Sequence, residues 1–439
     1  MKIIHTSDWH LGHRLYGLNR HEEQKGFLEW LILQVQEQEA DALLIAGDIF
    51  DTHNPSAEAT RLYYNFLTKL HQKLPHLQTV VIGGNHDSAA RLDAPREVLK
   101  ALNVHVIGAL PNPNRPSWAE LYCPINNAQG ELLAWVISVP YLRASDLPMK
   151  SPNEDHAIIN GVKEVYRLAL DGLKNKLTSD IPIILTGHCE MQKSLLSLES
   201  ERSFSGYAKQ SLPSDVFTSM LQIKPTYVAL GHLHLAQEVS NCNWIRYSGA
   251  PLPFSVAEKD YPHQLLCVEF SGSELQSVHP LFVPQDLKIQ MMKIPKQDHK
   301  SESSLLPLSF DEVIAELKKL PELDDQVEDW KRPLIQVNVH SEHPDPNIKL
   351  RVIQVLKKKH PRLAKLTVSY PKKERQAVEG NSPKTFLSDI EPNEVFKSRW
   401  KSKRGVEPPS EQLALFEQLK DQAKLILEQT STLSPNDKR

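Results

Sequence analysis

Short apolar runs that stop abruptly at Gly, Asp, Asn or His recur along the first half of the chain. Ala42-Leu43-Leu44-Ile45-Ala46 runs into Gly47-Asp48-Ile49-Phe50-Asp51. A run apolar at every position is the pattern of a strand buried on both faces, and the C-terminal edge of such strands is where α/β proteins place their sites. Ile3-Ile4-His5-Thr6-Ser7 leads in the same way to Asp8-Trp9-His10, and Val80-Val81-Ile82 to Gly83-Gly84-Asn85-His86-Asp87. Ile181 to Thr186 ends at Gly187-His188, and Tyr227-Val228-Ala229-Leu230 at Gly231-His232-Leu233-His234. Between the runs the period lengthens to that of a helix. Phe27 to Val35 reads as one, and Pro55-Ser56 opens another with Leu62, Tyr63, Phe66, Leu67 and Leu70 as its buried stripe. A third is expected from about Arg91 to Leu102, before a strand at Val104–Ile107. The alternation predicts an α/β fold.

Further strands are expected at Leu132–Val139 and Leu265–Phe270, with a helix around Val162–Leu170 between them and a sheet-closing segment at Arg246–Pro251. Pro111 to Pro116 cannot continue a regular element and reads as a surface loop. Gln192 to Ser214 is Ser-rich and joins two ligand-bearing strands, so it is expected to rim the site. After about Val283 the register changes. Ser309-Phe310-Asp311-Glu312 matches a capping box opening a helix to Leu320, followed by a strand at Leu334–Val339, a helix at Ile348–Lys359 and a strand at Leu363–Tyr370. This is a small α+β unit. The expected division is therefore 1–283, a catalytic domain; 284–373, a cap; and 374–439, Gly/Pro-containing linkers around two amphipathic segments. The second of these carries Leu413, Phe416, Leu419, Ala423 and Leu427 at helical spacing and reads as a partner-docking module.

At 439 residues the chain has room for two or three domains. Its net charge of −3 excludes an argument for nucleic-acid binding from overall charge. The local balance differs, because Lys349, Arg351, Lys357, Lys358, Lys359, Arg362, Lys365, Lys372, Lys373 and Arg375 face Glu374 alone between 347 and 375. The four cysteines, Cys123, Cys189, Cys242 and Cys267, have no CxxC spacing and read as reduced thiols of a cytosolic protein. The chain starts as a strand with no signal-peptide pattern, and no apolar run reaches bilayer length, so a soluble, cytoplasmic protein without membrane contact is expected.

Five strand ends carrying Asp, Asn and His form a constellation that core packing does not require. In extended chain, residues two apart share a side, so Asp8 and His10 are expected to reach one ion. The ordered set Asp8-x-His10, Gly47-Asp48-x-x-Asp51, Gly84-Asn85-His86-Asp87, Gly187-His188 and Gly231-His232-x-His234 resembles the calcineurin-like metallophosphoesterases. More narrowly, His5-Thr6-Ser7-Asp8-Trp9-His10-Leu11-Gly12 and Gly84-Asn85-His86-Asp87-Ser88 resemble the SbcD family, nuclease subunits of bacterial SbcCD complexes.

That resemblance implies a metallophosphoesterase β-sandwich flanked by helices, with a capping domain and a C-terminal helical tail that binds the partner. It implies two cations bridged by Asp48, one completed by Asp8, His10 and His234 and the other by Asn85, His188 and His232. Two cations about 3.5–4 Å apart relieve the charge repulsion and poor leaving group that make phosphodiesters inert. His86 would face the substrate, Asp87 would orient its imidazole, and Asp51 would support the Gly47-Asp48 turn. A role for His53 is left open, since Asp51 stands where some relatives place their histidine. Manganese follows from the resemblance, with iron or zinc as alternatives that the imidazole and carboxylate donors allow. The implied activity is ATP-regulated 3'-5' exonuclease on double-stranded DNA ends and endonuclease on hairpins or single strands, in DNA repair and recombination. The implied partners are an SbcC-type ATPase and a second copy of the chain within a heterotetramer. Two other readings of the same residues are a small-substrate phosphodiesterase or phosphatase, and a DNA-end tether.

Overall fold

The computed structural model describes residues 1–111, 118–148, 157–178, 180–192, 194–195, 211–217, 223–295, 308–370, 393, 396–397, 399–401 and 406–431. Met1–Pro371 forms one compact unit and Lys372–Arg439 a second. The first begins β1 (Lys2–Thr6), α1 (His21–Glu37), β2 (Ala42–Ala46), α2 (Ala57–Lys73), β3 (Gln78–Ile82) and β4 (Val104–Ile107). There follow β5 (Tyr122–Asn126), β6 (Leu132–Ile137), α3 (Ala157–Leu173), β7 (Ile183–His188), β8 (Tyr227–Gly231), β9 (Gln237–Val239), β10 (Cys242–Tyr247), β11 (Gln264–Ser271) and β12 (Glu274–Phe282).

Two six-stranded sheets are built from these strands, in the orders β12-β11-β1-β2-β3-β4 and β9-β10-β8-β7-β6-β5. Strands β1 to β4 run parallel, as do β6, β7, β8 and β10, with antiparallel strands at the edges. The continuous apolar runs have a direct cause in the layering. Ile3, Ala42, Leu44, Val80, Ile184, Tyr227 and Ala229 fill the space between the sheets. Their neighbours Ile4, Leu43, Ile45 and Val81 face the α1–α2 layer, while Leu185, Val228 and Leu230 face α3. Every position is buried because each strand is covered on both sides. The expected α/β sandwich is thus what the chain forms, and its two sets of parallel strands end toward one edge.

Some elements differ from expectation. The helix expected from Arg91 to Leu102 is two short helices, Ala89–Asp93 and Arg96–Lys100, because Pro95 cannot sit inside one. The edge strand β12 carries no apolar run and mixes half-buried with exposed residues without regular alternation, so its sequence offers no periodic signal beyond the pairing it makes with β11. The Pro111–Pro116 loop and the Gln192–Ser214 rim fall largely outside the described residues.

The region expected as the cap adds β13 (Met291–Ile294), α4 (Phe310–Lys318), β14 (Leu334–His340), α5 (Ile348–Leu356) and β15 (Arg362–Ser369). Its three strands are all parallel, in the order β13-β14-β15. It is therefore a β-α-β-α-β unit and not the α-β-α-β, α+β unit expected, because the short edge strand Met291-Met292-Lys293-Ile294 gives no alternation to read. Ser309 and Glu312 do form the reciprocal cap at the start of α4. Two of the basic residues counted above serve the cap's own fold. The Lys359 ammonium donates to the carbonyls of Lys318 and Leu320 at the C-terminus of α4, 2.7 and 2.9 Å, and Arg362 bonds Asp329 and the carbonyl of Trp330. Lys349, Arg351, Lys357, Lys358 and Lys365 are exposed.

In the second unit, α6 (Ser410–Ser431) contains the expected stripe, and the rings of Phe396 and Phe416 stack at 4.4 Å between centroids. The two amphipathic segments therefore cover each other in part. Leu415 and Leu419 stay more than half exposed, and the side chains of Ala423 and Leu427 lie outside the described residues. Among the described residues, no helix is long and apolar enough to cross a membrane.

Candidate metal centre

Four strand ends, those of β1, β2, β7 and β8, meet at one edge of the sandwich, and the turn after β3 joins them. Asp8, His10, Asp48, His188, His232 and His234 are all buried there, with Asn85 half-buried among them. The backbone bends sharply to bring them in. Asp8 (φ 55°), His10 (φ 43°), Asp48 (φ 51°) and His232 (φ 101°) lie in the left-handed region, which costs about 1–3 kcal/mol per non-glycine residue and persists where surrounding contacts enforce it. Those contacts are Asp8 N–H to the carbonyl of Gly47 and His10 N–H to that of Asp48, both 3.0 Å. Asp8 and His10 therefore share a side through left-handed turns, and not through the strand alternation expected of them. Close approach also excludes side chains, since a Cβ on Gly84 would overlap the backbone nitrogen and Oδ1 of Asp48.

Ligand atoms of Asp8, His10 and His234 lie within 4.8 Å of one another, as do those of Asp8, Asp48 and His188, and of His10, Asp48 and His86. The Asp48 carboxylate links these groups. Its Oδ2 is 3.3 Å from Nε2 of His188 and 3.6 Å from Nε2 of His10, while Oδ1 accepts the backbone N–H of His86 at 2.8 Å. Nδ1–H of His188 donates to the carbonyl of Ala46 at 2.8 Å, which turns Nε2 into the cluster. Nε2 lies 2.9 Å from Oδ1 of Asn85, and Nδ1 of His232 lies 2.9 Å from the same oxygen. Nitrogens and oxygens that converge in this way can share a proton or a cation. The His10 ring is buried, yet neither of its nitrogens has a hydrogen-bond partner among the described residues. Carboxylate, amide and imidazole donors without a thiolate fit a divalent cation of the manganese, iron or zinc type.

Charge follows from the same geometry. Burial pushes Asp48 toward its neutral form, but the charges of His188, His10 and His86 and the bond from His188 outweigh it and hold its carboxyl far below the usual range. Burial likewise opposes charge on His188, where Asp48 prevails and lifts it to about 9. Burial, reinforced by Asp48, lifts Asp8 and Asp87 to about 6. Burial lowers His5, His10 and His232 to about 3 and, away from the centre, His105 to about 4. The four histidines bind a proton when unfolded but not when folded, between their folded values and about 6.5, so each takes stability away as pH falls through that window. Asp8 and Asp87 act oppositely below about 6, but they are fewer. The melting temperature of chelator-stripped protein is therefore expected to fall steadily from pH 7 to pH 4; a flat or rising profile by scanning calorimetry would contradict these assignments.

Two expected roles are corrected. The Asp87 carboxylate does not meet the His86 ring, because it accepts the backbone N–H groups of Ile49, Phe50 and Gly84 at 2.9–3.2 Å and so ties the turn after β2 to the turn after β3. His86 is instead oriented by its Nδ1–H donating to the carbonyl of Asp51 at 2.8 Å. Asp51 also serves imidazoles, with Oδ1 3.0 Å from Nδ1 of His13 and 3.6 Å from Nδ1 of His10. His53 is exposed. Cys189, beside His188, has its thiol pushed up to about 12 by burial, which agrees with a packed and unreactive role.

Residues 1–236 match the family described as Calcineurin-like phosphoesterase, and residues 304–404 match the Type 5 capsule protein repressor C-terminal domain. The SbcD subunit of the nuclease SbcCD from Rhodobacter capsulatus is 32% identical over 400 residues, covering 90% of this chain and 93% of that protein. The chain belongs to the SbcD family of calcineurin-like phosphoesterases. The Escherichia coli K12 protein of the same name is 29% identical over 419 residues, 91% of this chain and 92% of its own. The Bacillus subtilis one is 33% identical over 282 residues, 62% and 67%. As an SbcD-family phosphoesterase the protein is a metal-dependent hydrolase of the nuclease class, and the cluster just described supplies, among the described residues, donors for a divalent metal.

Sequence reading missed Phe254, Glu258, His13 and Ser248, which pack or bond the cluster from outside it. The hydroxyl of Ser7 donates to Asp8 at 2.5 Å and lies 2.8 Å from that of Ser248. Glu258 had one visible signal, the spacing Ser255-x-x-Glu258 of a helix cap, but its side chain is used elsewhere.

Proposed function

We propose that this chain is the nuclease subunit of an SbcCD-type complex, hydrolysing DNA phosphodiesters at a two-manganese centre. The observation that carries the reading is the Asp48 carboxylate set between His10 and His188, each within 3.6 Å of it. Asp8, His10 and His234 would hold one ion and Asn85, His188 and His232 the other, with Asp48 shared. When bound, two such cations would supply charge neutralisation for the anionic phosphodiester oxygens and would acidify a bound water.

The chain's own groups do the rest. Asp8 is held by Ser7 and by the backbone N–H of His232, so its lone pairs point one way. His86, half-buried with Nδ1 fixed on the carbonyl of Asp51, would offer Nε2 to the substrate, where it could stabilise developing charge or protonate the leaving oxygen. Residues 1–283 would be the nuclease domain and 284–373 the cap, whose exposed lysines and Arg351 suit phosphate contact. Residues 374–439 would dock an SbcC-type ATPase, and two copies of the chain would pair in a cytoplasmic heterotetramer. The Rhodobacter capsulatus and Escherichia coli relatives are subunits D of the nuclease SbcCD, which supports the SbcC partnership.

The deciding experiment compares linear duplex DNA, a DNA hairpin and a chromogenic phosphodiester, each with manganese and with or without an SbcC-type ATPase and ATP. Cleavage of duplex from 3' ends and of hairpins, accelerated by the partner and ATP, is the expected result. Preference for the chromogenic ester would favour a small-substrate phosphodiesterase, and DNA binding without cleavage would favour a tether.

The tail gives a separate prediction. Exposed Leu415 and Leu419 are each worth roughly 1.5–3 kcal/mol if buried in a partner's groove. Deleting residues 382–439 is expected to leave a folded, metal-binding enzyme that cleaves a short DNA but no longer co-elutes with the ATPase. Continued co-elution at micromolar concentration would refute the docking role.

A further inference from the structure

The two halves of the cluster are held in different ways. On the His188 side the support is main chain, since Nδ1–H of His188 donates to the carbonyl of Ala46. On the His10 and His234 side it comes from one short segment after β10. The Phe254 ring lies 4.8 Å from the ring of His10 and 4.8 Å from that of His234, between centroids. Glu258 is wholly buried and places Oε1 3.0 Å from Nδ1 of His234, while Oε2 accepts the backbone N–H of Phe254 at 2.7 Å. A buried carboxylate is costly unless partners satisfy it, so two such bonds on one side chain mark a specific use. An ionised carboxylate can only accept. The His234 proton must then sit on Nδ1, which puts the ring's lone pair on Nε2, the opposite side from Glu258.

We propose that Glu258 is a positioning residue for the His10/His234 half of the centre. It locks the tautomer and orientation of His234 and, through the Phe254 N–H, holds the ring that packs both imidazoles. This rests on the two-ion reading above. Its consequence is asymmetry: loss of Glu258 weakens one ion and spares the other, because Asn85, His188 and His232 do not depend on residues 254–258. Partners of ligating histidines are typically worth about 10–100-fold in metal affinity. Glu258→Gln is the sharper variant, since it keeps the volume while having one acceptor oxygen for two donors. If that oxygen stays with Phe254, the amide NH2 faces Nδ1 of His234 and favours the tautomer with its proton on Nε2, which cannot ligate.

The test uses full-length protein, stripped with chelator and titrated with Mn2+ by calorimetry, with elemental analysis and low-temperature electron paramagnetic resonance of the loaded samples. Wild type is expected to bind two ions with a spin-coupled signal. Glu258→Gln and Glu258→Ala are expected to bind one ion with wild-type affinity and the second about 10–100-fold more weakly. The coupled signal should give way to that of isolated Mn2+, and DNA cleavage should return when Mn2+ is raised by the same factor. Two ions at wild-type affinity in Glu258→Gln, equal weakening of both, or lost cleavage that Mn2+ does not restore would each overturn the proposal and leave Glu258 a turn staple. Circular dichroism checks the fold, and Glu258→Gln decides the matter by itself should the alanine variant not fold. A wild type that binds fewer than two ions would instead defeat the two-ion reading, and this proposal with it.

Discussion

Asp48→Asn is expected to deplete both divalent ions and to lower turnover by about a thousandfold or more, the scale set by losing preorganised charge stabilisation around the phosphoryl group. The geometry explains why one atom matters so much. Oδ2 of Asp48 faces Nε2 of His188 at 3.3 Å and Nε2 of His10 at 3.6 Å, so it serves both halves of the cluster. An asparagine of the same shape brings no charge. If it turns its amide toward those imidazoles, it donates to the lone pairs that would otherwise ligate. Oδ1, which accepts the N–H of His86 at 2.8 Å, can be kept by the amide oxygen, so the turn after β3 should survive. Elemental analysis of Asp48→Asn beside wild type is the check. Wild-type metal content in a dead variant would show that Asp48 does not bridge.

His86→Gln should behave in the opposite way, keeping both ions and wild-type DNA affinity while turnover falls by about 10²–10⁴-fold, the usual contribution of a positioned acid or base. The ring is held by the Asp51 carbonyl at Nδ1, and its centroid is 4.7 Å from that of His10. Glutamine can renew the bond to Asp51 but carries no proton that titrates near neutrality. The same geometry allows a rival role, because His86, His10 and Asp48 bring ligand atoms within 4.8 Å of each other. Loss of one ion from His86→Gln would decide for ligation, whereas intact metal content with lost turnover would place His86 on the substrate.

Much of this protein was legible in its sequence, for a physical reason. A strand covered on both faces must be apolar throughout, so the stop at Gly47-Asp48, Gly84-Asn85 or Gly187-His188 marks the sheet edge without reference to anything distant. That local rule was enough for the α/β alternation and for the polar residues that end its strands, while the sandwich followed from the family resemblance. The edge strands β12 and β13 escaped it because an exposed or short strand need not alternate, and its existence depends on the neighbour it pairs with. The means of gathering was not legible either. Left-handed turns at Asp8, His10 and Asp48 are imposed by bonds to the carbonyls of Gly47 and Asp48, across chain separations that no local pattern encodes. The same holds for partners. Asp87 was expected to orient His86 but serves three main-chain N–H groups, and Glu258, which no local pattern singled out for that role, serves His234. Which side chain a titratable group meets is decided by packing between elements far apart in the chain, and only the tertiary structure settles it.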